Sequence, residues 1–232
     1  MVLAITKYRD RTMKIGILGI TGRIGTILSK MIAIEDFIGG ISSKSTDAEI
    51  ENVVKNSDVL VDFSSPKATL KILPFAKKFK APLVTGTTGF SENEFEELKS
   101  YAKYIPILHA NNFSVCVQLM AMLLKKCSEV LTDFDFSIID KHHKKKKDAP
   151  SGTALFLARQ VSSKAQIVSI RSGNICGDHI CDFSGENEML TISHRAFNRN
   201  IFASGALDCA KWIVGKEPRM YTMADFLQSK IK

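Results

Sequence analysis

At 232 residues, with 45% apolar and 24% charged content, the chain is long enough for two modest domains and ordinary in composition for a globular protein. No apolar run approaches the roughly 18 residues of a membrane span, and Val2-Leu3-Ala4-Ile5 is too short for a secretory leader. The net charge is +8, but Lys141, Lys144, Lys145, Lys146 and Lys147 supply five of those charges within one short segment. A nucleic-acid-binding face spreads its basic residues more widely, so neither nucleic acid nor membrane is an expected partner.

Met13-Lys14 immediately precedes the first strong strand, so residues 1–12 read as a loose extension or the product of an upstream start. From Lys14 the pattern is strand, glycine loop, helix: Lys14–Gly19, then Gly22-Arg23-Ile24-Gly25, then an apolar periodicity through Ile34. Phe37–Ser42 reads as a second strand. Asp58–Phe63 is a near-continuous β-rich run of the kind found in buried parallel strands. Positions 69, 70, 72, 73, 76 and 79 trace a helical stripe, Pro82–Thr85 is a fourth strand, and Ser91-x-x-Glu94 has the form of a capping box. Ile105–Leu108 is a fifth strand.

The βα rhythm then stops. Residues 115–131 form an apolar helix, Phe134–Asp140 a strand and Ser151–Val161 a helix. Ile167–Arg171, Ile180–Phe183 and Met189–His194 have the look of a mixed sheet, and residues 201–232 are helical again. The fold class is therefore α/β: an N-terminal Rossmann-like doubly wound parallel sheet plus an α+β domain with a mixed sheet. Residues 1–112 with 207–232 form the first domain, and 113–206 the second.

Gly19-Ile20-Thr21-Gly22-Arg23-Ile24-Gly25 follows a strand and opens a helix, where glycines allow a tight turn and close approach of a pyrophosphate to free amides. An NAD-preferring site expects an acid at the end of the second strand, yet this chain has Ser42-Ser43-Lys44. Ser43 and Lys44 suit a 2′-phosphate, so NADPH is expected over NADH. Gly86, Thr87 and Thr88 follow the fourth strand, and Ala110, Asn111, Asn112 and Phe113 the fifth, at the sheet edge where cofactors lie.

The strand ending at Asp140 leads into His142 and His143, with Lys146 four residues beyond His142. Histidine donates protons near neutral pH, and lysine is a compact charge for a carboxylate that also assists proton transfer. Ser151 suits a helix N-cap, leaving the Gly152 and Thr153 amides for an anion. A small carboxylate-bearing substrate, reduced by hydride and completed by protonation, fits this combination. Two rivals stand beside it: a semialdehyde dehydrogenase with Cys116 as nucleophile, and a redox-sensing nucleic-acid binder using the lysine loop. The five cysteines (116, 127, 176, 181 and 209), odd in number and irregularly spaced, fit reduced thiols in the cytoplasm. Cys176, His179 and Cys181 do not complete a recognised metal-ligand set, so no metal is expected.

The run His142-His143-Lys144-Lys145-Lys146-Lys147-Asp148-Ala149-Pro150-Ser151-Gly152-Thr153-Ala154 matches without a break the H-H-x-x-K-x-D-x-P-S-G-T-A signature of the 4-hydroxy-tetrahydrodipicolinate (dihydrodipicolinate) reductases of bacterial lysine and diaminopimelate synthesis, and the chain resembles that family. The likeness extends through Gly19–Gly25, Val61–Ser64, Gly86–Phe90, Ala110–Ser114, Gly177-Asp178-His179, Glu188, His194 and Arg199–Ala206. The resemblance implies His142 as proton donor and acceptor, Lys146 as second proton donor, and His143, Gly152 and Thr153 on the substrate carboxylates. It implies cofactor contacts from Gly19 through Ile24, Gly86–Thr88 and Ala110–Phe113, and a homotetramer joined through sheets of the second domain. The chain departs from the family at Ser43, in having Asp178 where Glu is usual, and in reading short near 45–57 and 171–180. His179 and His194, outside the histidine loop, read as structural.

Overall fold

The computed structural model describes residues 13–161 and 164–231; the extension read at residues 1–12 lies outside them. In chain order the elements are β1 (Ile15–Leu18), α1 (Arg23–Met31), β2 (Phe37–Ile41), α2 (Asp47–Lys55), β3 (Val59–Asp62), α3 (Pro66–Phe79), β4 (Leu83–Thr85), α4 (Glu92–Tyr101) and β5 (Ile107–His109). There follow α5 (Val115–Val130), β6 (Asp135–His142), α6 (Gly152–Ala158), β7 (Gln166–Arg171), β8 (Gly177–Ser184), β9 (Met189–Ala196), α7 (Asn200–Ile213), β10 (Met220–Tyr221) and α8 (Met223–Gln228).

Two compact units divide at Phe113/Ser114 and Ile201/Phe202, against 112/113 and 206/207 in the sequence reading. The later junction shifts because α7 is one continuous helix whose buried residues, from Ala203 to Ile213, belong to the first unit's core.

In the first unit, six strands pair in parallel in the order β10-β5-β4-β3-β1-β2. Strands β1 and β3 are buried along their whole length, as expected of central parallel strands covered on both faces. The segment that read as short near 45–57 holds α2. Thr46 and Glu49 close a reciprocal capping box there, Asp47 and Glu49 complement the helix dipole, and Ile50, Val53 and Val54 face the core. Helix α3 starts with Ser65 as N-cap and Pro66 in its first turn, and α4 with a Ser91/Glu94 capping box.

In the second unit, four strands run in the order β7-β6-β8-β9, with β7 parallel to β6 and the other pairs antiparallel. Alternation along β6 sends Phe136, Ile138, Asp140 and His142 to one face. Phe136 and Ile138 join Cys181, Phe183, Val117, Leu124 and Leu157 in a core under α5 and α6. Two residues further along the strand the same inward face turns polar. That change from apolar to polar builds the site.

No helix among the described residues is long and apolar enough to cross a membrane.

Candidate active site

At the carboxyl edge of the first sheet, Gly19 adopts φ +81°, and a Cβ there would lie 2.5 Å from the Phe63 carbonyl oxygen. A Cβ on Gly25 would lie 2.1 Å from the Gly19 carbonyl oxygen. Gly22 is the N-cap of α1 and contributes no side-chain cap bond, so the first amides of that helix are left without a side-chain cap. Close backbone approach with an uncapped helix start is what a pyrophosphate requires, and the residues fit a dinucleotide on that ground. Thr21 and Arg23 are exposed beside the turn, while Ile20 is half-buried against Gly40.

Ser43 and Lys44 are exposed in the turn after β2, next to this loop: the Gly19 amide donates to the Ile41 carbonyl at 2.9 Å. The turn is held by the Lys44 amide on Ser42 Oγ at 3.2 Å and the Ser42 amide on Ser45 Oγ at 3.1 Å.

A buried acid that the sequence reading did not single out, Asp62, ties the neighbouring loops together. Its Oδ2 accepts from Thr69 Oγ1 at 2.6 Å, Thr85 Oγ1 at 2.7 Å and Thr87 Oγ1 at 3.0 Å, and its Oδ1 from Ser64 Oγ at 2.6 Å. Burial pushes the Asp62 carboxyl up despite these four hydroxyls. The Gly86 amide donates to the Asp62 carbonyl at 2.8 Å, and Thr87 is buried while Thr88 is exposed. After β5, Ala110 is buried and the Phe113 ring sits edge-on to Phe63, leaving Asn111 exposed and Asn112 half-buried.

In the second unit, Asp140 is the hub. It is completely buried, and its Oδ2 accepts from the Ser151 amide at 2.9 Å, Arg171 Nη2 at 3.0 Å and Ser169 Oγ at 3.1 Å. Its Oδ1 lies 2.8 Å from His142 Nδ1 and 3.5 Å from His179 Nε2. Burial opposes ionisation of Asp140, but the bonds to His142, Ser151 and Arg171 outweigh it and hold the carboxyl far below its ordinary range.

The antiparallel register pairs Asp140 with His179, and His179 with His194. The two histidines that read as structural therefore lie in a row with the catalytic candidate: ring centroids are 5.3 Å apart for His142–His179 and 6.1 Å for His179–His194. Burial brings the His179 imidazole down to about 4. Strand pairing, which local sequence does not write, is what assembles Asp140, Arg171, His179 and His194.

His143 and Lys146 follow in the loop, both half-buried, with the Lys146 amide donating to the His143 carbonyl at 3.0 Å. Burial, then the charges of Arg199, His142, Lys146 and Arg171, lower the His143 imidazole. Lys146 Nζ lies 2.8 Å from Asp148 Oδ2. Lys146 foremost, with the Gly152 amide adding to it, holds the Asp148 carboxyl below its usual range. The Gly152 amide, expected to be open to an anion, is thus engaged by an internal carboxylate. Ser151 is the N-cap, its Oγ accepting from the Ala154 amide at 3.1 Å; Thr153 sits in the first turn beyond it. Cys181 and Cys209 are buried, which pushes both thiols up to about 12, beyond ready thiolate chemistry. Asp140, His142 and His179 bring potential ligand atoms within 4.8 Å of one another, but Asp140 Oδ2 already holds three donors.

A doubly wound nucleotide-type sheet and a separate sheet carrying paired histidines beside a lysine define a pyridine-nucleotide-dependent oxidoreductase. Residues 13–113 match the family model for the dihydrodipicolinate reductase N-terminus, and residues 116–227 that for its C-terminus. A protein of Rickettsia bellii named 4-hydroxy-tetrahydrodipicolinate reductase is 37% identical, the match covering 94% of this chain and 96% of that protein. One of the same name from Thermosipho africanus is 37% identical over 93% of this chain and 98% of its own length. A dipicolinate-bound dihydrodipicolinate reductase from Paenisporosarcina sp. TG-14 shares the fold with a TM-score of 0.78 and 20% identity, over 91% of this chain and 98% of that one. The chain belongs to the dihydrodipicolinate reductase family.

Proposed function

We propose that the protein reduces 4-hydroxy-tetrahydrodipicolinate to tetrahydrodipicolinate, the family's step in lysine and diaminopimelate synthesis. The observation that carries this reading is the unbroken 142–154 signature, folded so that His142 is braced by Asp140 on the same sheet face and followed by His143, Lys146 and the start of α6. The nicotinamide cofactor, when bound, supplies the hydride. Gly19 through Ile24, Gly86–Thr88 and Ala110–Phe113 hold it on the first unit, and Ser43 with Lys44 favours the 2′-phosphate of NADPH over NADH. The second unit holds the substrate.

His142 donates and recovers a proton, and Lys146 serves as second donor. His143, Gly152 and Thr153 hold the substrate carboxylates, which compete with Asp148 for Lys146 and the Gly152 amide. The free cysteines fit a reducing cytoplasm. Val168, Ile170 and Met189 stand exposed on the sheet face opposite the core, and a homotetramer that buries this face fits the pattern. NADPH oxidation in the presence of enzymatically generated 4-hydroxy-tetrahydrodipicolinate tests the activity; no oxidation by folded protein overturns it.

A further inference from the structure

We propose that Asp140 is a positioning residue for the reaction: its carboxylate fixes the His142 imidazole with the proton on Nδ1, so that Nε2 is the atom that exchanges protons with the substrate. The inference rests on the reading of His142 as the proton donor.

A fully buried carboxylate is costly unless each oxygen is matched. Here the two oxygens divide the work. Three donors from two elements, Ser151 at the start of α6 and Ser169 and Arg171 on β7, take Oδ2. They set the plane of the carboxylate without any help from His142. Oδ1 is left facing His142 Nδ1 at 2.8 Å. The approach is bent from the ideal N–H···O line, but neither atom has an in-line hydrogen bond elsewhere among the described residues. Residues two apart on a strand share a face, so the spacing of Asp140 and His142 on β6 makes this contact a consequence of local geometry.

The other nitrogen is provided for on the neighbouring strand. A Cβ on Gly177 would lie 3.0 Å from His142 Nε2 and 3.4 Å from its Cδ2, so the ring lies across the place where a side chain would stand. Asp140 holds one edge of the imidazole and Gly177 leaves room for the other. The remaining charged or titratable groups around His142 are Arg171 on β7, His179 on β8 with His194 beyond it, and His143 and Lys146 in the loop. None of these is a second acceptor matched to Nδ1.

Anchoring α6 and β7 needs Oδ2 alone, and an asparagine oxygen serves there equally well. Asp140→Asn would then turn its amide N–H₂ toward Nδ1, favouring the opposite tautomer of His142. Imidazole ¹⁵N NMR of the wild-type protein should show neutral His142 protonated on Nδ1, and Asp140→Asn should move that proton to Nε2. In the same variant kcat should fall roughly 10²–10⁴-fold with KM little changed, and adding Asp140→Asn to His142→Gln should cause no further loss. A wild-type Nε2–H tautomer, a kcat for Asp140→Asn within a few-fold of wild type, or an equal loss in the His142→Gln background overturns the proposal. The wild-type NMR measurement decides even where Asp140→Asn fails to fold. Near-normal turnover by His142→Gln itself would instead sink the proton-donor reading, so the two failures are told apart.

Discussion

Gly25 lies so close to Gly19 that a Cβ on it would sit 2.1 Å from the Gly19 carbonyl oxygen. The turn that carries the first unit's nucleotide loop thus exists only because position 25 is bare. Gly25→Ala must push the loop outward. Overpacking of this kind costs about 1–3 kcal/mol, and the KM for the nucleotide should rise about tenfold or more. Thermal denaturation and nucleotide titration check both effects; an unchanged midpoint and affinity would contradict the geometry.

Cofactor choice should answer to the turn after β2. Lys44→Glu places a carboxylate where Ser43 and Lys44 stand exposed beside the Gly19 loop. A charge-assisted hydrogen bond is worth about 1.5–3 kcal/mol, so kcat/KM with NADPH should fall roughly 10–100-fold while that with NADH holds or rises. Steady-state kinetics with each nucleotide measures the ratio.

Much of this architecture is legible in the chain. Buried parallel strands announce themselves as β-rich runs such as Asp58–Phe63, and Ser91-x-x-Glu94 marks the start of α4. Thr46-x-x-Glu49 marks α2 equally well, but that helix offers only Ile50, Val53 and Val54 as an apolar stripe over nine residues, so it passes for a loop. β10 has two residues, too few for any period. The histidine loop is legible because its residues are contiguous. Its supports are not: Arg171 and His179 reach Asp140 through the pairing of β6 with β7 and β8, and pairing register is a property of the folded sheet.

Acid should loosen the second unit through His179. Its imidazole is brought down from 6.5 to about 4, so the folded protein keeps it neutral while the unfolded chain takes up a proton. Stability is therefore intact above about pH 6.5 and declines as pH falls toward 4, by roughly 3 kcal/mol over that window. Below about 3.8 the depressed Asp140 adds a second loss, because the unfolded carboxylate protonates first. Urea denaturation across this range should show the decline, and His179→Gln should flatten its upper part.

The exposed apolar face of the second sheet predicts assembly. Val168→Glu combined with Met189→Glu should give a smaller species by light scattering, with the nucleotide still bound. A wild-type monomer would remove the basis for the tetramer.

Lys146→Ala should lower kcat roughly 10²–10⁴-fold while leaving NADPH affinity intact, as expected for a proton donor. Normal turnover in that variant would reassign Lys146 to the electrostatic background of the loop.

The most direct measurement is turnover of enzymatically generated 4-hydroxy-tetrahydrodipicolinate by the wild type and His142→Gln, following NADPH and NADH oxidation separately. The wild type should oxidise NADPH in step with substrate, and His142→Gln should lose about 10²–10⁴-fold in kcat while still binding the nucleotide. Absence of turnover by the folded wild type, or near-normal turnover by His142→Gln, would contradict the assignment of this site.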